Sequence, residues 1–150
     1  MSQSLKTYTS LWAMQPHDQT GIKLPYDEVC EMVSSAGYDG MAIDLGAGDV
    51  AQAHEVRPHM ERHGLTPLIV AFPKTVESLR ETLVMAKDFG SPFVDVIGQV
   101  MPLSVDGMIP VIREWIEMAD QIGIPIQFES HRNCITVSYT HLTLPTSHNV

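Results

Sequence analysis

A repeated succession of helix, glycine and strand is the feature that most constrains the fold of this chain. Gly37, Gly64, Gly90 and Gly123 each follow a stretch with the apolar spacing of a helix, and each precedes a short run rich in Val, Ile and Phe. Glycine is the preferred residue just past a helix C-terminus because it adopts positive φ without steric cost. Another strand-like run, residues 7–14, comes before the first helix. The predicted order is therefore β-α-β-α-β-α-β-α-β.

This α/β order predicts a parallel sheet, because strands that alternate with helices are joined by right-handed crossovers. Two architectures are compatible with it. One is a partial (β/α)8 TIM barrel of about five parallel strands and four helices, since a complete barrel needs about 250 residues and the chain has 150. The alternative is a complete five-stranded doubly wound sheet. A doubly wound sheet would end here with an amphipathic fifth helix.

The last residues do not provide such a helix. Residues 134–150 contain no Asp, Glu, Lys or Arg, and their threonines follow no helical spacing. The run "VSYTHLTLPT" resembles a translated sequencing-adapter read-through. We therefore expect residues 1–136 to be the N-terminal part of a barrel and residues 137–150 to be a non-native or disordered tail. An irregular C-terminal arm is the alternative.

Composition limits the function classes. The formal charge of −9 repels a phosphate backbone, so we expect no nucleic-acid partner. No stretch has the length of a signal peptide or of a membrane span, so a cytoplasmic location and no membrane partner are predicted. Cys30 and Cys134 lie far apart in no C-x-x-C spacing, which predicts two ordinary thiols rather than a disulfide or a zinc site. His59 and His63 are four residues apart but form no H-E-x-x-H motif, so they are expected on an exposed helix flank.

The stretch "IPIQFESHRN" brings the most chemistry to one place. Side chains alternate along a strand, so Gln127, Glu129 and His131 are predicted to share one face. Because the carboxyl ends of parallel barrel strands form active sites, Glu129 is a candidate catalytic residue and metal ligand. A solvated carboxylate at a strand end is the alternative for Glu129.

Residues 7–133 resemble the first five βα units of the sugar phosphate isomerase/epimerase superfamily, the xylose-isomerase-like TIM barrels. The resemblance rests on "AGYDGMAIDLG", "HGLTPLIVAF" and "GIPIQFESHRN". It implies a divalent metal (Mn, Mg, Zn or Co) held by two glutamates, an aspartate and a histidine. Glu129 matches the first of these ligands, and the others would lie on strands six to eight. His131 matches a substrate-facing position, and Asp44 a substrate-binding position where the superfamily more often has Glu. A loop or helix-capping aspartate is the alternative for Asp44.

Three other residues are candidates for substrate binding. Gln99 follows strand four and could hydrogen-bond a hydroxyl group. Trp12, at the end of strand one, could form an apolar wall for a sugar ring, with core packing as its expected alternative role. His17 lies in the loop after strand one, which could close over a ligand.

The resemblance therefore implies a fragment of a divalent-metal-dependent sugar or sugar-phosphate isomerase or epimerase that moves a proton through an enediolate. Its partner is a small sugar or sugar phosphate. As a fragment it is expected to be inactive, to bind metal weakly or not at all, and to be able to self-associate through exposed sheet edges. The alternative is a non-catalytic, doubly wound small-molecule-binding domain.

Overall fold

The computed structural model describes residues 5–15, 23–101, 104–132 and 134–135. The predicted tail, residues 137–150, and His17 lie outside these ranges. Strands and helices alternate along the chain. They are β1 (Tyr8–Ser10), α1 (Tyr26–Ser35), β2 (Gly40–Asp44), α2 (Val50–Arg62), β3 (Thr66–Ala71), α3 (Leu79–Asp88), β4 (Val94–Val96), α4 (Val105–Ile122) and β5 (Ile126–Phe128).

The five strands form one parallel sheet in the order β1-β2-β3-β4-β5. Each strand therefore pairs with its neighbour in sequence, as in a barrel. A doubly wound sheet would place β1 inside the sheet with helices on both faces. The doubly wound alternative is wrong, and the non-catalytic binding domain that depended on it loses its structural basis.

One face of the sheet carries the core. Strand residues such as Met41, Ile69 and Val96 are fully buried and share one apolar cluster with residues of all four helices. The opposite, concave face carries the alternate residues, among them Ala42, Leu68 and Asp95. Helices on a single face of a parallel sheet are the arrangement of a (β/α)8 barrel, whose interior is the concave face.

Local signals in the sequence set the helix ends. All four predicted glycines have positive φ, at 85° for Gly37, 68° for Gly64, 74° for Gly90 and 78° for Gly123. Asp49 accepts a hydrogen bond from Gln52 N at the start of α2, as predicted for an N-cap. The first strand is shorter than the predicted residues 7–14, because the chain turns into a 3-10 helix at Trp12–Met14.

The α1–α2 contact explains the two histidines of α2. Asp27 Oδ1 lies 3.2 Å from His59 Nδ1, 3.2 Å from His63 Nε2 and 2.5 Å from Arg62 Nη1. The hydrogen bond from His59, followed by that from His63 and the charge of Arg62, lowers the pKa of Asp27 below its ordinary value. These histidines are half-buried parts of a helix–helix contact rather than the exposed flank that we predicted.

The cysteines and the helix lengths bear on two further predictions. Cys30 and Cys134 are both buried thiols that form no disulfide, as predicted. Within the part of the chain that the structure describes, no helix is long and apolar enough to cross a membrane.

Candidate functional site at the carboxyl ends of the strands

A row of four residues in register, three of them polar, crosses the concave face near the carboxyl ends of the strands. Asp44 pairs in register with Val70, Val70 with Asp95, and Asp95 with Gln127. Residues in register on parallel strands point to the same face, so these side chains all face the concave side. Glu129 follows two residues after Gln127, and its backbone N–H donates to Val96 O at 3.1 Å. Glu129 therefore lies at the carboxyl end of β5, as predicted.

Asp95 and Glu129 form a carboxyl pair on this face. Asp95 lies between Val94 and Val96, both fully buried towards the helices, so strand alternation turns it to the opposite side. Burial, then the side-chain hydrogen bond to Glu129 and the charge of that residue, raise the pKa of Asp95 to about 6. A carboxyl that is still protonated in mild acid can share its proton with the neighbouring carboxylate. The pair can therefore take up and release one proton near pH 6.

Asp95 was missed in the sequence, although a signal was present. In "FVDVIG" one acid interrupts an apolar strand, and a buried charged residue needs a partner or a function. The residue predicted as a ligand partner in this segment is Gln99, which ends the run. Gln99 N donates to Pro73 O at 2.9 Å, beside the loop after β3.

The raised pKa predicts an unusual pH dependence of stability. A group whose pKa is raised by folding contributes stability below its unfolded pKa and loses it as the pH rises through the folded value of about 6. Wild-type stability should therefore fall by about 1–2 kcal/mol between about pH 4 and pH 7, after allowance for solvent screening. Asp95→Asn should remove this fall. Urea unfolding at both pH values measures it.

The control for this prediction is Asp120→Asn, which changes an exposed acid on α4. It should leave the pH dependence as in the wild type. If Asp95→Asn also preserves the wild-type slope, Asp95 does not titrate in this range.

Asp44 lies on the same face, and its carboxylate accepts hydrogen bonds from the loop that follows β2. Oδ1 accepts from Gly46 N at 2.7 Å and from Ala47 N at 2.9 Å. This is the loop-capping role of an aspartate at the start of a turn. A substrate contact by Asp44 stays a prediction.

His131 does not continue the alternation of β5. The strand ends at Phe128, and the chain turns so that the backbone N–H of His131 donates to Cys134 Sγ at 3.2 Å. The imidazole stands edge-on to the ring of Phe72, which follows β3, with centroids 6.3 Å apart. We expected strand alternation to place His131 on the face of Glu129. The turn after β5 places it beside Phe72, at the end of β3.

Trp12 lies in the 3-10 helix after β1 and is 50% exposed. The core-packing role expected for it is wrong, because half of the side chain remains in solvent. An apolar wall for a ligand stays a prediction.

The donor set fits part of a metal site. Asp95 and Glu129 offer adjacent carboxylate oxygens, the ligands that hard divalent cations prefer. Among the described residues, however, no group of three or more His, Cys, Asp or Glu side chains is arranged to hold an ion. Two carboxylates leave most of the six or so positions of such a cation to water or to other ligands.

Comparison of the sequence with protein-family models and with curated proteins gives no match. Solved structures do match the fold. DHDPS from Cyanidioschyzon merolae with lysine bound has a TM-score of 0.60 at 14% identity, over 88% of this chain and 47% of that one. N-acetylneuraminate lyase from Proteus mirabilis has a TM-score of 0.55 at 17% identity, over 84% and 46%. 3-dehydroquinate dehydratase from Geobacillus kaustophilus HTA426 has a TM-score of 0.53 at 18% identity, over 83% of this chain and 50% of that one.

The chain folds as part of a (β/α)8 barrel. It spans about half the length of the solved structures that it matches. At these identities the likeness concerns the fold alone. It supports the predicted partial barrel without selecting the xylose-isomerase-like superfamily among the families that share it.

Proposed function

We propose that this partial barrel belongs to a divalent-metal-dependent sugar or sugar-phosphate isomerase or epimerase. The observation that carries the proposal is the carboxyl pair of Asp95 and Glu129 on the concave face, at the end where (β/α)8 barrels have their active sites. The resemblance of "GIPIQFESHRN" to the superfamily supports the role of Glu129. The fold alone would not, because it is shared by many unrelated activities.

The pair is suited to moving a proton next to a carbonyl group. Glu129, as the carboxylate, removes a proton from the carbon adjacent to the carbonyl. The electron pair of that C–H bond forms the new C=C bond, and the carbonyl π electrons move to oxygen. Asp95, protonated in mild acid because its pKa is raised to about 6, donates its proton to that oxygen. The enediol then collapses when Asp95 takes the proton of the neighbouring hydroxyl group and Glu129 returns its proton to the other carbon, which gives the isomer. Epimerisation would need a further acid on the opposite face of the enediol.

Other residues near this end would recognise the substrate. A sugar offers several hydroxyl groups, for which we propose Asp44, Gln99 and His131 as hydrogen-bonding partners. Trp12, in the 3-10 helix after β1, and His17, which lies outside the described residues, are further candidates for substrate binding. If Asp95 is ionised, it and Glu129 would instead hold a divalent ion, which would take the place of the proton on Asp95 and supply a Lewis acid that polarises a carbonyl and its neighbouring hydroxyl. Within the described residues β1 and β5 each pair with one strand, so we also propose self-association through these edges.

Manganese binding tests the metal part of this proposal. With two carboxylates as ligands the affinity should be weak, of the order of millimolar, compared with a site of three or four protein ligands. Paramagnetic Mn²⁺ should broaden NMR signals around Asp95 and Glu129 selectively. Glu129→Gln should abolish this broadening, whereas Glu117→Gln, an exposed glutamate of α4, should preserve it. Broadening that persists in Glu129→Gln, or that never localises at the pair, contradicts the metal site.

A further inference from the structure

The turn after β5 is attached at one end to β4 and at the other to the segment that follows β4. Before the turn, Glu129 N donates to Val96 O at 3.1 Å, and after it Ile135 N donates to Gly98 O at 2.8 Å. The two acceptors are two residues apart in the segment that begins in β4, while the two donors are six residues apart in the segment after β5. The four extra residues must therefore leave the sheet as a turn, and His131 is one of the residues in that turn.

Cys134 closes this turn from inside. Its side chain is fully buried, accepts the backbone N–H of His131 at 3.2 Å and donates its S–H to the carbonyl oxygen of the same residue. One thiol thus holds both backbone polar groups of His131. Ile135, 1% exposed within the main core, anchors the neighbouring position.

The imidazole of His131 is fixed by a second contact. Nδ1 lies 2.8 Å from the backbone carbonyl oxygen of Arg132. A carbonyl oxygen can only accept, so Nδ1 must carry the proton, and in the neutral ring the lone pair is then on Nε2. Metal-ligating and substrate-binding histidines are commonly held in this way, with one ring N–H donated to a backbone carbonyl.

We propose that Cys134 is a positioning residue, which holds His131 in the form protonated at Nδ1 and so provides the Nε2 lone pair as a ligand or hydrogen-bond acceptor at the carboxyl end of the barrel. The use of that lone pair by substrate or metal rests on the proposed function. The positioning itself does not, because it concerns contacts within this chain. Cys134 thereby has a role that neither its spacing nor its burial indicates.

The test compares the two buried cysteines of the chain. In the wild type at about pH 8, where imidazoles are neutral, ¹⁵N NMR of His131 should show protonated Nδ1 and unprotonated Nε2. Cys134→Ala removes both thiol contacts, so we expect a mixture of the two tautomers and about two- to tenfold faster amide exchange at His131, the factor expected for one lost hydrogen bond. Cys134→Ser, whose hydroxyl can donate and accept, should give intermediate values. Cys30→Ala, which empties a similar volume in α1, should leave His131 unchanged.

Two results would overturn the inference. One is a wild-type His131 protonated at Nε2. The other is an unchanged tautomer and unchanged exchange in Cys134→Ser and, where it folds, in Cys134→Ala. Because these measurements use neither metal nor substrate, a failed Mn²⁺ experiment would contradict the metal part of the proposed function and leave the positioning role intact.

Discussion

Replacement of Trp115 by alanine is expected to lower the free energy of unfolding by about 3–5 kcal/mol, the usual cost of removing a buried tryptophan. Trp115 is fully buried and is the largest such side chain. Its indole N–H donates to Val76 O at 3.0 Å, and its ring stacks on Phe128 at a centroid distance of 6.2 Å. The variant loses apolar contacts and leaves one carbonyl without its donor. Urea unfolding measures the change.

The chain provides a matched control in its other tryptophan. Trp12 is 50% exposed, so Trp12→Ala should cost less than about 1 kcal/mol. Similar losses in the two variants would contradict the burial on which this prediction depends.

Gly40→Ala should destabilise the protein by about 3 kcal/mol or more, because a methyl group cannot be accommodated there. A Cβ at Gly40 would lie 2.1 Å from the backbone oxygen of Thr66 and 2.5 Å from the ring of Tyr8. The tyrosine ring could turn away. The carbonyl cannot, because Thr66 is the register partner of Gly40 in the β2–β3 pair. The strands would have to separate at the start of β2.

Gly64→Ala separates this steric effect from the general cost of replacing glycine. Gly64 has a φ of +68° with nothing within 4 Å of an added Cβ, so only the left-handed backbone is penalised, by about 1–2 kcal/mol. Thermal or urea unfolding should therefore rank Gly40→Ala as the more damaging change. The reverse order would contradict the close approach of β2 and β3.

The carboxyl pair of the candidate site lowers the stability of the fold, whereas the apolar residues of the core raise it. A half-buried carboxyl beside a second carboxylate is unfavourable when both are charged, which is why the pKa of Asp95 rises to about 6. An apolar residue at this point of β4 would remove that cost. A feature that lowers stability and lies at the active-site end of a barrel favours a functional role.

The sequence by itself determined the features that depend on a few consecutive residues. Positive φ past a helix end is a property of glycine, so Gly37 and its three counterparts could be recognised from the residues alone. The Asp49 cap and the buried strands followed from equally local rules. The order of units narrowed the fold to two architectures, and Glu129 was placed at a strand end because it follows the apolar run of "IPIQFESHRN".

Only the tertiary structure decided what depends on pairing between distant segments. The strand order that excludes a doubly wound sheet arises from contacts across the whole chain. Asp95 meets Glu129 because β4 and β5 lie side by side in one register, and no local pattern specifies that register. His131 was expected on the same face as Glu129. Instead β5 ends at Phe128, and the chain turns so that the backbone N–H of Glu129 donates to β4 and that of His131 donates to Cys134. Strand alternation is a local rule, whereas the end of a strand is set by the hydrogen-bond partners that the rest of the fold provides.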